Sequence, residues 1–213
     1  MLDLIFAVSG DTIPVDHGYY LHSALSELLP FHHDKQQRST TGVHPISGTL
    51  CGGRMLAINS RSKLILRTAA DRVADYLELC GKRLSIGNHS ITVGIPSSRK
   101  LIPVSTLWSR IVTIKGFTTP SEFHDAVHRQ LHELDIGGQA NLVARKNHTS
   151  AEGKTDNLAR SPFLKRTLAI KGRNVVGFSL VVTELTAEES LRLQSQGIGG
   201  RRSMGCGIFI PLR

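Results

Sequence analysis

The sequence predicts an α+β protein made of two successive β-α-β-β-α-β units, on three observations. Apolar residues alternate at the strand period and then recur at the helical period, in the same order twice along the chain. Gly, Pro, Asn and Asp punctuate the changes of period. The length, 213 residues, suits two small domains of about 100 residues each.

LDLIFAV is the first strand. After the turn-rich SGDTIPVDHG, the segment YYLHSALSELL places Tyr20, Leu21, Ala24, Leu25 and Leu28 at helical spacing, and Pro30 stops that helix. PISGTLCGG and SKLILRT follow as a strand pair. AADRVADYLELCG reads as a helix with Val73, Leu77 and Cys80 on one stripe, and KRLSI with HSITVGI as a hairpin around Gly87 and Asn88. The proline-bearing, basic stretch SSRKLIPVSTL breaks both periods, giving an N-terminal domain at 1–96, a linker at 97–107 and a C-terminal domain at 108–213.

The second unit repeats the order without repeating residues. WSRIVTIKGF is a strand, and PSEFHDAVHRQLHEL a helix buried along Phe123, Val127, Leu131 and Leu134. QANLVARK, PFLKRTLAIKG and NVVGFSLVVTEL supply strands, TAEESLRLQSQG is a helix capped by its threonine with Glu188 and Glu189 in the first turn, and GCGIFIPL is the last strand. Each unit is then a ferredoxin-like sheet with its helices on one face.

Composition narrows the function classes. No apolar run approaches the roughly 18 residues that a membrane span needs. MLDLIFAV carries an aspartate and no basic region or cleavage site, so it is expected to be a strand rather than a signal peptide, in a cytoplasmic protein. Cys51, Cys80 and Cys206 are odd in number, widely spaced and without a CxxC, which points to buried thiols rather than disulfides or a zinc site. Lys and Arg number 26 against 17 Asp and Glu, a net charge of +9. The first partner such a surface suggests is a polyanion. Nucleic acid fits better than an anionic membrane, because no segment joins a basic face to a strong apolar one.

The charge is concentrated. Arg145, Lys146, Lys154, Arg160, Lys165, Arg166, Lys171 and Arg173 face only Glu152 and Asp156 over 29 residues, and NHTSAEGKTDNLARSP within that run has no apolar period. A mobile basic loop that folds onto phosphates is expected there. GIGGRRSMGCG, between the last helix and last strand, puts Gly199, Gly200, Arg201 and Arg202 in a loop whose amides and guanidinium forks suit phosphate. It lacks the GKS or GKT of a P-loop, and its helix-then-strand order is the reverse of a dinucleotide fingerprint, so no nucleotide cofactor is expected.

Five of the ten histidines, His17, His22, His32, His33 and His44, fall within 28 residues around the first helix. Histidine is the side chain whose ordinary pKa suits proton transfer near neutrality. His124, His128 and His132 stand at i, i+4 and i+8 on one helix without an HExxH glutamate, beside the apolar stripe, and read as an exposed flank rather than a metal site.

This order of features resembles the CRISPR-associated endoribonucleases that process precursor CRISPR RNA, the sixth Cas protein family within the RAMP superfamily. The resemblance covers nearly the whole chain. Its most specific part is GIGGRRSMGCGIFIP, similar to the superfamily's glycine-rich loop, and IPVDHGYYLHSALSELLPFHH is similar to the family's first helix and the catalytic region around it. It implies tandem ferredoxin-like domains, which the periodicity reaches independently.

It also implies a metal-independent cleavage, with no cofactor, in which the RNA 2′-hydroxyl attacks the adjacent phosphate and leaves a 2′,3′-cyclic phosphate and a 5′-hydroxyl. Such a reaction needs a base, an acid and cations. His17, Tyr19, Tyr20, His22, His33 and Lys35 carry suitable protons. In some branches the catalytic histidine lies in the first helix three residues after a tyrosine, as His22 follows Tyr19. In others it lies just beyond the helix, where His33 falls. His33 stands first among the catalytic candidates, then His22, with His17 third; His44, beside Pro45, reads as structural. RNA contacts are expected from Arg145, Lys146, Arg160, Lys165, Arg166, Lys171, Arg173 and the Gly199–Arg202 loop. The implied partners are CRISPR repeat or guide RNA with a stem-loop and the other subunits of an effector complex.

The rival from another class is a non-catalytic guide-RNA-binding subunit of the same superfamily. A generic RRM-type binder is disfavoured, because aromatics make up only 5% of the chain and neither FLKRTLAIKG nor SKLILRT carries an aromatic pair.

Overall fold

The computed structural model describes residues 1–34, 41–145 and 161–212, with His33 as main chain alone. β1 (Leu2–Gly10) alternates as expected, with Leu4, Phe6 and Val8 turned into the core. β2 (Thr12–Pro14) leads into α1 (Gly18–Leu28), which Pro30 converts to a 3₁₀ turn, Pro30–His33. β3 (Gly42–Val43), β6 (Lys63–Thr68), β7 (Arg83–Ile86) and β8 (His89–Lys100) complete an antiparallel sheet in the order β3-β6-β1-β8-β7. Without the added edge strand β7, this is the second-third-first-fourth strand order of a ferredoxin-like unit.

The second sheet repeats it. β9 (Leu107–Val112), α2 (Pro120–Glu133), β10 (Gln139–Leu142), β11 (Lys165–Ile170), β12 (Arg173–Thr183), α3 (Ala187–Gln196) and β13 (Ile210–Pro211) follow in chain order. Their sheet runs β10-β12-β9-β13, with β11 extending β12 as a hairpin. Thr186 caps α3 in a full capping box with Glu189.

Each unit buries its own core. Leu21, Ala24 and Leu25 of α1 pack on Leu4, Phe6, Leu64 and Leu66, while Phe123, Val127 and Leu131 of α2 with Leu193 of α3 pack on Val112, Phe178, Leu180 and Val182.

Four elements differ from expectation, each for a physical reason. PISGTLCGG does not pair with SKLILRT. Its β4 (Thr49–Cys51) turns through Gly52–Arg54 onto β5 (Met55–Ala57), and with β2 makes a separate three-stranded sheet, leaving Gly42–Val43 to pair with β6. AADRVADYLELCG is two 3₁₀ turns, Ala70–Arg72 and Ala74–Leu79, instead of an α-helix. The tighter winding brings Tyr76 and Leu79, three apart, inward together, and leaves Leu77 of the expected stripe 47% exposed. β8 runs through Pro96 to Lys100, so 97–100 of the expected linker is strand; beside Pro96 it pairs only with β1. The last strand is two residues long, since the turns at Gly205 and Gly207 hold the preceding chain out of the ladder. Of the three thiols only Cys206 is fully buried; Cys51 and Cys80 are half-buried.

A buried ionic cluster ties the units together. Arg67 donates through Nε and Nη2 to the Asp3 carboxylate at 2.8 and 3.2 Å, and through Nη1 to the carbonyls of Gln194 and Phe209 in the second unit at 3.0 and 2.6 Å. Arg99 adds a third contact to Asp3 at 3.1 Å. Burial opposes the Asp3 charge, yet His44 and Arg67 outweigh it and hold the carboxyl well below its ordinary range.

Candidate functional site

The first unit reaches the second through the N-terminus of α1. Asp16 accepts a hydrogen bond from the Ala169 amide of β11 at 2.8 Å, and a Cβ at Gly18 would collide with the Met204 carbonyl. His17 is 2% exposed, and both of its ring nitrogens are engaged. Nδ1–H donates to the Pro14 carbonyl at 2.8 Å, and Nε2 accepts from the Ile46 amide at 2.9 Å. That pair of bonds fixes a neutral tautomer, and burial pushes its pKa below the ordinary value. Tyr19 is half-buried and Tyr20 is exposed, their ring centroids 6.1 Å apart. His22, one turn on from Tyr19, is 8% exposed, so Tyr19 is the member of that i, i+3 pair more open to solvent.

His33 closes the 3₁₀ turn after α1; its side chain and Lys35 lie outside the described residues. His32 is fully buried, its ring edge-on to Phe31 at 5.0 Å and to Tyr76 at 5.9 Å. Tyr76 also meets Phe31 at 5.3 Å, and its hydroxyl lies 2.6 Å from the Thr41 hydroxyl. Tyr76 therefore touches the chain on both sides of the 35–40 stretch. Sequence reasoning misses it because ADYLEL has the look of an ordinary helix. His44 sits in the Asp3 cluster, its Nε2 3.7 Å from Oδ1, with burial lowering its pKa.

The glycine-rich loop departs most from expectation. The Gly199 amide donates to Gln130 Oε1 at 2.8 Å, the Gly200 amide to the Thr113 carbonyl at 2.9 Å, and the Gly207 amide to the Ile111 carbonyl at 2.8 Å. These amides are used within the protein rather than presented to a ligand. A Cβ at Gly199 would collide with the Thr113 carbonyl and one at Gly207 with the Ile198 carbonyl, so glycine here permits backbone to pack on backbone. Among the glycines of this loop only Gly200 has open space beside it.

The adjacent arginines divide. Arg201 is half-buried in a left-handed conformation. Arg202 is 8% exposed and donates through Nη1 to the Gln196 carbonyl at 2.6 Å, with burial and nearby Arg67 pulling its pKa to about 10. Arg202 is thus an interior group at the junction, contrary to the expected surface fork.

Of the basic run, Lys146, Lys154, Arg160 and most of the expected mobile loop lie outside the described residues. Arg145 is half-buried, and its amide donates to the Pro162 carbonyl at 2.8 Å. Lys165, Lys171 and Arg173 are exposed on the β11–β12 hairpin, whose two-residue turn holds Lys171 and Gly172 at φ 48° and 77°. Both positive values are what a tight primed turn demands. Arg166 is half-buried, its Nε donating to the Ser179 hydroxyl at 3.1 Å, and burial together with Arg110 lowers its pKa.

Arg110 was not anticipated. It lines a crevice between the units with Asp16, His17, Gly18, Thr167 and Met204. The signal was present: in WSRIVTIKGF, strand alternation sets Arg110 on the same face as Trp108 and opposite the core residue Leu107. His124 and His128 lie on the outer part of α2, half-buried and exposed, with Nε2 atoms 3.2 Å apart.

The sequence profile described as Cas6 Crispr matches residues 2–213. A CRISPR-associated endonuclease Cas6 of Myxococcus xanthus (strain DK1622) is 37% identical over 210 residues, spanning 99% of this chain and 81% of the relative. A solved structure described as CRISPR associated protein Cas6 superposes with a TM-score of 0.69 at 12% identity, over 100% of this chain and 99% of the other. One described as a RAMP protein binding different RNA substrates gives 0.66 at 12% identity, over 98% of each. These likenesses show a shared tandem ferredoxin-like fold.

Proposed function

The chain belongs to the Cas6 family, and on that premise we propose that it is an endoribonuclease that binds CRISPR repeat RNA and cleaves precursor CRISPR RNA. The observation that carries this reading is the 37% identity, sustained along 99% of the chain, to a CRISPR-associated endonuclease. The RNA-binding description of a structural relative and the exposed lysines and arginine of the β11–β12 hairpin agree with an RNA substrate.

The proposed chemistry uses no metal, because the RNA brings its own nucleophile. A base takes the proton from the 2′-hydroxyl, O2′ forms a bond to phosphorus, the bond from phosphorus to O5′ breaks, and an acid protonates O5′. The products are a 2′,3′-cyclic phosphate and a 5′-hydroxyl. His33 is our leading proton-transfer residue, with His22 and Tyr19 the alternatives on α1. Because main-chain groups engage both His17 nitrogens, we assign His17 to holding the entry of α1 against Ile46 and Pro14. Arg201, Arg110 and the hairpin cations Lys165, Lys171 and Arg173 are the groups proposed to meet phosphates. Arg202, expected among them, is set aside because it is buried. After cleavage the protein is proposed to stay on its guide RNA within an effector complex.

Burial of His17 and His22 is the observation that favours the second reading, a guide-RNA-binding subunit without cleavage. Alanine at His33 or His22 separates the two. The catalytic position is expected to lose about 10²-fold or more in cleavage rate while repeat affinity stays within a few fold. A wild-type protein that binds repeat RNA and leaves it intact would establish the second reading instead.

A further inference from the structure

His124 and His128 are one turn apart on α2, and the structure closes their rings on each other. Their centroids are 4.4 Å apart and their Nε2 atoms 3.2 Å apart, and His124 Nε2 is also 3.0 Å from the Ala140 carbonyl of edge strand β10. Two imidazole nitrogens and a carbonyl oxygen thus gather around one small volume. A single proton on His124 Nε2, shared between Ala140 and His128, satisfies this arrangement.

We propose that His124 and His128 form a chelating site for one borderline divalent transition-metal ion, zinc or nickel, that takes the place of this proton. At zinc–nitrogen bonds of about 2.0–2.1 Å, nitrogens 3.2 Å apart subtend an angle of about 103° at the metal, near tetrahedral. Each neutral ring then keeps its one proton on Nδ1, so His124 changes tautomer and gives up its hydrogen bond to Ala140, whose carbonyl is left facing the ion. Imidazole suits zinc, nickel and copper, whereas magnesium and calcium prefer oxygen ligands. Among the described residues no group of three or more His, Cys, Asp or Glu gathers for a metal. The site is therefore a two-histidine chelate whose remaining positions fall to water or the carbonyl, exchangeable with solvent and apart from the catalytic candidates. Where the Ala140 carbonyl takes one of those positions, the ion ties α2 to edge strand β10 in place of the hydrogen bond it displaces.

The test uses the full-length protein stripped with EDTA and dialysed, titrated with zinc chloride or nickel chloride in a calorimeter, with melting temperature followed in parallel. One equivalent of either ion is expected to bind and raise the melting temperature, while magnesium chloride does neither. His128→Ala, at an exposed position that leaves the core intact, should weaken binding by about 10-fold or more, at least the loss seen when only a ligand's supporting partner is removed. It should also abolish the thermal gain, as should His124→Ala, while His132→Ala keeps both. Absence of zinc and nickel binding to the wild type, or binding that survives unchanged in His128→Ala, overturns the site. RNA cleavage in EDTA is a separate readout, so loss of the metal site and loss of the proposed activity remain distinguishable.

Discussion

Two stretches of this chain set glycine beside a pair of cations, and they do opposite things. In the 197–207 loop the amides of Gly199, Gly200 and Gly207 bond to α2, to Thr113 just past β9 and to β9 itself, and Arg202 lies inside the junction. In the β11–β12 hairpin Lys171, Gly172 and Arg173 form an exposed, positively charged tip. Composition treats these segments alike; the direction of backbone and side chain separates them. The loop is bonded into the second unit and packs Met204 and Gly205 against Gly18 and Pro45 of the first, whereas the hairpin is open to a polyanion.

The largest expected effect falls on the loop. Gly207→Val would set a β-branched side chain at φ 65°, against the Ile198 carbonyl. Destabilisation should exceed ~4 kcal/mol, among the most severe single-residue effects. Chemical denaturation measures it, and near-native stability with lost RNA binding would return the loop to the role of a ligand cradle.

Acid should loosen the interior next. His17 and His44 are buried with pKa values below the ordinary one, so the unfolded chain binds protons that the folded chain refuses. Their contribution is present above the ordinary histidine pKa of about 6.5 and declines as pH falls below it. Asp3, also shifted down, adds its loss only below about pH 4. Urea unfolding at neutral pH and at about pH 5.5 should show this decline, and His44→Gln should flatten it. Stability that is level or rising across that window contradicts neutral burial of these histidines.

The smallest effect on folding, and the sharpest on binding, is expected at the hairpin. Replacing Lys171 and Arg173 together with alanine should change stability by no more than about 0.5 kcal/mol, as at other exposed positions. The same double variant should reduce the salt dependence of repeat-RNA binding, the slope falling by about 0.7 for each phosphate that is no longer neutralised. An unchanged slope would remove the hairpin from the RNA interface and erase half of the contrast.

Locally encoded features were legible in the sequence. The alternation of β12, the threonine cap at Thr186 and the turn at Gly87 and Asn88 each depend on residues a few positions apart, and they place both ferredoxin-like units correctly. What could not be read depends on partners distant in sequence. Tyr76 is drawn into a 3₁₀ turn among Phe31, His32 and Thr41, and Arg67 is buried because Asp3 and two carbonyls of the second unit surround it. The site divides in the same way. The cluster of histidines around α1 was visible, but which of them would have both ring nitrogens engaged was not, because Pro14 and Ile46 meet His17 only in three dimensions.

The central claim, a family endoribonuclease that cuts RNA with the RNA's own hydroxyl, is tested most directly by one cleavage assay. Purified protein is incubated in excess EDTA with repeat RNA, and with the same RNA carrying a 2′-deoxy nucleotide just upstream of the scissile phosphate. The protein is expected to cleave the first to a cyclic phosphate end and to leave the second intact. Cleavage of the deoxy substrate, or activity lost in EDTA and restored by zinc, would contradict that claim.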